Sequence, residues 1–117
     1  MLFVDCDDTL ILWDTEPNGL GSYGYHLNHE LIEAVLKYMA ITKDNLVVWS
    51  GGGEEYARRW ARLCFPDTEW EAISKDITLP DAELDDVCVD DMDIIPAAPV
   101  FTWQEFVKMV AEWEVHD

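Results

Sequence analysis

Residues 1–10, MLFVDCDDTL, decide how this chain is read. Leu2-Phe3-Val4 is wholly apolar. So short an apolar run, without polar alternation, reads as a strand buried on both faces, the kind found in parallel sheets. It ends at Asp5, and Asp7 and Asp8 follow at once. Two other stretches repeat this arrangement of apolar strand and polar end. NLVVWS (45–50) runs into Gly51-Gly52-Gly53, and DVCV (86–89) runs into Asp90-Asp91. In an open parallel sheet, ligands sit beyond the C-terminal ends of the strands. Asp5, Ser50, Asp90 and Asp91 are therefore expected to meet at one end of one sheet.

The intervals between these strands supply the rest of the fold. Residues 11–28, with Pro17, Gly19, Gly21 and Gly24, read as a loop containing a hairpin. From Asn28 the pattern turns helical, with Ile32, Val35, Leu36 and Met39 on one face and Glu30 and Glu33 near the positive end of the dipole. A second helix spans about Glu54 to Cys64, with Glu54–Arg58 and Glu55–Arg59 spaced as surface pairs, and Pro66 stops it. Residues 69–73 read as a further strand and Val100-Phe101 as a short last one. Thr102-x-x-Glu105 then forms a capping box, and Trp103, Phe106, Val107, Val110 and Trp113 give the final helix its core face. Strands alternating with helices predict one α/β domain over 1–117. The expected form is a three-layer sandwich with a mostly parallel sheet and helices on both faces.

Bulk composition narrows the function classes. The chain has 117 residues, half of them apolar and six of them tryptophan, which suffices for a core despite a net charge of −18. That charge argues against a membrane surface and against unaided binding to nucleic acid, whose phosphates it repels. No apolar run approaches the roughly 20 residues of a membrane span, and the N-terminal run lacks a basic flank and is cut at Asp5. Cys6, Cys64 and Cys88 are odd in number and far apart, which fits neither a disulfide framework nor a zinc motif. A reducing cytoplasm is the expected location.

Carboxylates brought together raise one another's pKa unless a cation neutralises them, and an all-oxygen donor set suits Mg²⁺. A Gly-rich turn entering a helix suits a phosphate, to which Ser50 and the amides of Gly51 onward could donate. Lys75, the only base between Arg62 and Lys108, could offset charge on a transferred group. Asp5 could attack phosphorus, and Asp7 could protonate the leaving oxygen and then activate water.

These residues resemble the haloacid dehalogenase (HAD) superfamily. Asp5-Cys6-Asp7-Asp8-Thr9 resembles its first motif, DxDxT; Ser50 closes a stretch like the second; Lys75 stands for the third; and Asp90-Asp91 for the fourth. The resemblance implies a Rossmann-like fold with Asp5 as nucleophile and Asp7 as general acid/base. Ser50 and Lys75 would hold the phosphoryl group, and Mg²⁺ would be bound by Asp5, the carbonyl of Asp7 and a fourth-motif carboxylate. Asp91 is favoured as that ligand, with Asp90 in support, ahead of Asp93. Asp8 stands where many members carry glycine. The intervals after the first two motifs leave no room for a cap domain, so the resemblance is to small capless phosphatases that act on exposed phosphates, including nucleic-acid ends.

Other residues read more plainly. Thr9 supports the loop, Cys6 packs, His26 and His29 flank a helix start, and Arg58, Arg59 and Arg62 pair with glutamates on a wet face. Trp13 either stacks on substrate or packs. The competing function is a non-enzymatic acidic protein, a nucleic-acid mimic or an inactive HAD-like fold. The mimic would explain the charge of −18 directly.

Overall fold

The computed structural model describes residues 1–14, 19, 21, 24–75, 86–91 and 99–113. Asp93, Pro17, Pro96 and most of the acidic stretch from Asp76 lie outside the described residues. Within them, β1 (Leu2–Asp5), β4 (Leu46–Ser50), β5 (Trp70–Ser74), β6 (Val87–Val89) and β7 (Val100–Phe101) form a five-stranded sheet in the order β5-β4-β1-β6-β7. Every pairing in it is parallel. Strands β2 (Ile11–Trp13) and β3 (Tyr25–Leu27) make a separate antiparallel hairpin. The helices are α1 (His29–Thr42), α2 (Glu54–Cys64) and α3 (Trp103–Ala111).

Counting only the parallel strands, the order is 3-2-1-4-5, that of a Rossmann-like sheet. Reading outward from β1, the chain first moves to β4 and β5 on one side, then crosses to β6 and β7 on the other. Connections of one handedness that run in opposite directions fall on opposite faces. The crevice between β1 and β6 is thus the switch point, where ligands bind in such sheets. Asp5 and Asp90 stand at its two walls.

Residue parity divides the core cleanly. Leu2, Val4, Leu46, Val48 and Val89 face Leu31, Ile32 and Val35 of α1, Ala57 and Ala61 of α2, and Phe106 and Val110 of α3. Phe3, Val47, Trp49 and Cys88 cluster on the opposite face with Ile73 and Val100. All three described helices therefore cover one face, which departs from the expected helices on both faces. The connections from β5 to β6 and from β6 to β7 fall largely in 76–85 and 92–98, outside the described residues.

The local reasons for the elements were mostly written in the sequence. Asn28 caps α1, its Oδ1 accepting from Leu31 N at 3.3 Å. Thr102 and Glu105 close the capping box of α3. On α1 the buried face is Leu31, Ile32, Ala34, Val35 and Tyr38, while Leu36 is 42% exposed, which corrects its placement on the core face. The reason is tertiary: α3 packs beside α1, so Tyr38 is drawn inward against Phe106 at 5.4 Å, and Leu36 turns away.

Candidate active site at the ends of the parallel strands

A cavity of about 260 Å³ opens at the C-terminal end of the sheet, lined by Asp5, Asp7, Ser50, Gly51, Gly52, Lys75 and Asp91. Every catalytic, phosphate-binding and metal-ligand candidate among the described residues lines it except Asp90, which is buried and bonded to Lys75. They arrive from four strand ends: Asp5 closes β1, Ser50 closes β4, Lys75 follows β5 and Asp90 follows β6.

The strand expected over 69–73 is found as β5 (Trp70–Ser74), and Lys75 follows its last residue. Its backbone N–H donates to Ser50 O at 2.9 Å, continuing the β4–β5 ladder by one residue. That contact carries the side chain inward, where it is only 4% exposed. Its Nζ donates to Asp5 Oδ1 at 3.1 Å and to Asp90 Oδ2 at 3.0 Å, and lies 6.0 Å from the ring of Trp49. The two carboxylates more than offset the burial that would lower its pKa, so the ammonium is held above its ordinary value.

Asp5 is 5% exposed and also accepts from Thr9 Oγ1 at 3.4 Å. Burial first, then a hydrogen bond with Asp91 and the charge of Asp90, push its pKa up to about 8 even though Lys75 pulls the other way. Asp5, Asp90 and Asp91 each offer an oxygen within 4.8 Å of the others. One ammonium among three carboxylates leaves negative charge uncompensated, and the donors are all oxygen. That set fits a hard divalent cation such as Mg²⁺ and does not fit zinc.

The loop after β1 is tightly held. Ile11 N and Thr9 N both donate to Cys6 O, and Asp8 N donates to Ile11 O at 2.8 Å. Asp8 sits at φ 59°, a left-handed conformation in which aspartate is among the better tolerated non-glycine residues. Asn28, expected only near the helix start, is buried and donates from Nδ2 to Thr9 O at 2.9 Å, while its N–H reaches Leu10 O. It staples the loop to α1. After β4, Gly52 N donates to Ser50 Oγ at 3.0 Å, and Gly53 caps α2 at φ 107°, a conformation that strains any side chain.

Asp7 is partly exposed and held by two donors. Its Oδ1 accepts from Tyr56 OH at 2.6 Å and from Trp13 Nε1 at 3.0 Å. Trp13 lies against Tyr25 and Trp60 and donates to Asp7 while keeping 37% exposure. Tyr56 escaped the sequence reading, because nothing in its helical position marks it as facing the loop after β1. Cys6 is fully buried and its thiol is pushed up by burial and by Asp5, consistent with packing. His26 lies in β3 and His29 opens α1, both exposed, so they do not share a helix face. Arg58 pairs with both Glu54 and Glu55, taking the partner expected for Arg59.

Among the described residues no helix is long and apolar enough to cross a membrane. No protein-family model, curated protein or solved structure matches this chain.

Proposed function

We propose that the protein is a Mg²⁺-dependent phosphomonoester hydrolase of the HAD type, without a cap domain, working through an aspartyl-phosphate on Asp5. One observation carries this reading: Lys75 bridges Asp5 and Asp90 at the mouth of the β1–β6 crevice, with Ser50 and Asp91 on the same cavity. An acidic surface serving only as a nucleic-acid mimic has no need to bury a lysine between two carboxylates.

In this mechanism Asp5 Oδ attacks phosphorus as the bond to the leaving oxygen breaks, and Asp7 gives that oxygen its proton. Asp7 then takes a proton from water as the water oxygen attacks the aspartyl-phosphate, releasing inorganic phosphate and restoring Asp5. Ser50 Oγ, the N–H of Gly51 and Lys75 hold the phosphoryl oxygens, and Lys75 matches the charge spread over them. Asp5, the carbonyl of Asp7 and Asp91 would hold Mg²⁺, with Asp90 in support; bound there, the ion neutralises the carboxylates and the phosphate. Lys75, Ser50 and the loop hydrogen bonds hold this geometry before substrate arrives.

The hairpin after β1 and the helix after β4 occupy both intervals where a cap would be inserted. The open cavity suits an exposed phosphate on a macromolecule, including a nucleic-acid end once Mg²⁺ lowers the repulsion of the −18 charge. The three buried free thiols fit a reducing cytoplasm.

The test is Mg²⁺-dependent phosphate release by the wild type beside Asp5→Asn. The panel holds an aryl phosphate, nucleotides, sugar phosphates, phosphopeptides and a 3′-phosphorylated oligonucleotide. Release that requires Mg²⁺ and is lost in Asp5→Asn supports the mechanism. Absence of release from folded wild-type protein favours the non-enzymatic acidic binding protein, for which the −18 charge speaks directly.

A further inference from the structure

We propose that Tyr56 and Trp13 are positioning residues that fix Asp7 so that only its Oδ2 exchanges protons with the reacting oxygens. The inference rests on the hydrolase reading, since it concerns the acid/base of that reaction. Both donors converge on one oxygen: Tyr56 OH and Trp13 Nε1 each bond to Asp7 Oδ1. An indole N–H can only donate, so an Oδ1 bonded to it is not free to carry the transferred proton as a donor toward Trp13. Oδ2 has no hydrogen-bond partner among the described residues, and Asp7 lines the cavity. The carboxylate is thereby divided into an anchored oxygen and a working one.

The anchor is built from two separate elements. Trp13 comes from β2 and pairs in register with Tyr25 of β3, and the two rings stand 5.4 Å apart. Tyr56 and Trp60 lie one turn apart on α2, with ring centroids 6.2 Å apart. Trp60, nearly buried, meets Tyr25 at 5.2 Å and Trp13 at 6.4 Å, both edge-on. These tilted and edge-on contacts lock the hairpin to the helix. The hairpin after β1 thus has a task, which is to hold one carboxylate rotamer. Proton transfer to a leaving oxygen depends on such placement, because misalignment of a fraction of an ångström weakens it steeply.

A purely structural role would affect all substrates alike, whereas a positioning role depends on the leaving group. The ratio kcat/KM covers only the steps through departure of the leaving group, so it isolates the proton that Asp7 gives. A para-nitrophenolate leaves without that proton; the alkoxide of glycerol phosphate does not. Tyr56→Phe keeps its ring and Trp13→Phe keeps a smaller aromatic ring in place of the indole, and each removes one donor. Each is expected to lower kcat/KM for glycerol phosphate on the order of tenfold, and to change that for para-nitrophenyl phosphate less than about twofold. Equal losses on both substrates, or no loss on glycerol phosphate, overturn the proposal while leaving the hydrolase reading intact. Wild-type protein without Mg²⁺-dependent release, or release that survives Asp5→Asn, removes the hydrolase reading and this inference with it. A readout apart from activity is the Trp13 indole N–H resonance, identified by its loss in Trp13→Phe. It is expected to shift in Asp7→Asn, and an unmoved resonance overturns the contact.

Discussion

Asp5→Asn is expected to stabilise the metal-free protein even as it removes the proposed nucleophile. Asp5 is buried beside Asp90 and Asp91, and its pKa rises from 3.8 to about 8 in the folded state. The folded state therefore binds this proton more tightly than the unfolded chain. The stabilisation linked to it is complete below about pH 4 and is lost as pH rises toward 8. Each pH unit in that window costs about 1.4 kcal/mol, so the wild type loses about 4 kcal/mol between about pH 5 and about pH 8 on this account. Asparagine resembles the protonated form and has no proton to lose. Its amide oxygen can still accept from Lys75 in the place of Oδ1, its amide nitrogen in the place of Oδ2 can donate to the Thr9 hydroxyl, and Lys75 keeps Asp90. The stability of the variant relative to wild type should thus grow steadily with pH, by roughly 4 °C in Tm for each kcal/mol in a chain of this size. Urea unfolding followed by tryptophan fluorescence, in EDTA and across that pH range, measures it. Adding Mg²⁺ should narrow the gap, because a bound cation stabilises the wild type through ionised Asp5. A difference that stays flat with pH in EDTA would refute the reasoning.

Three further outcomes follow from the same geometry. Lys75→Met leaves the buried Asp5 and Asp90 without the ammonium that bridges them, and should cost about 3 kcal/mol in urea unfolding at neutral pH, partly recovered by Mg²⁺. Asp91 is exposed at the rim, so Asp91→Asn should change stability by less than about 0.5 kcal/mol while weakening Mg²⁺ binding on the order of tenfold or more in calorimetric titration. Thr102→Ala breaks the reciprocal cap of α3 far from the cavity, and should cost about 1 kcal/mol of unfolding free energy with phosphate release unchanged.

Much of the site was legible because its chemistry is local to strand ends. Asp5, Ser50 and Asp90 each follow a short apolar run, and a parallel strand delivers the residue after its last apolar position to a common edge. Lys75 was harder. The strand before it, WEAIS, is only partly buried because it lies at the sheet edge, so its apolar signal is diluted by Glu71 and Ser74. Asn28 and Tyr56 were not legible as site residues at all. Their hydrogen bonds reach 19 and 49 positions along the chain, and no local period records such a partner.

By itself the sequence determined the elements and their polarity: apolar runs made strands, Thr102 and Glu105 started a helix, and Pro66 followed the end of another. These depend on neighbours within a turn or a strand, where propensity and capping act. Tertiary structure decided which face each helix covers, why Leu36 is exposed and Tyr38 is not, and which groups surround each charge. Burial and Coulomb interactions depend on distance in space. The raised proton affinity of Asp5, the ammonium wedged between two acids and the two donors on Asp7 therefore exist only once the strands have been brought side by side.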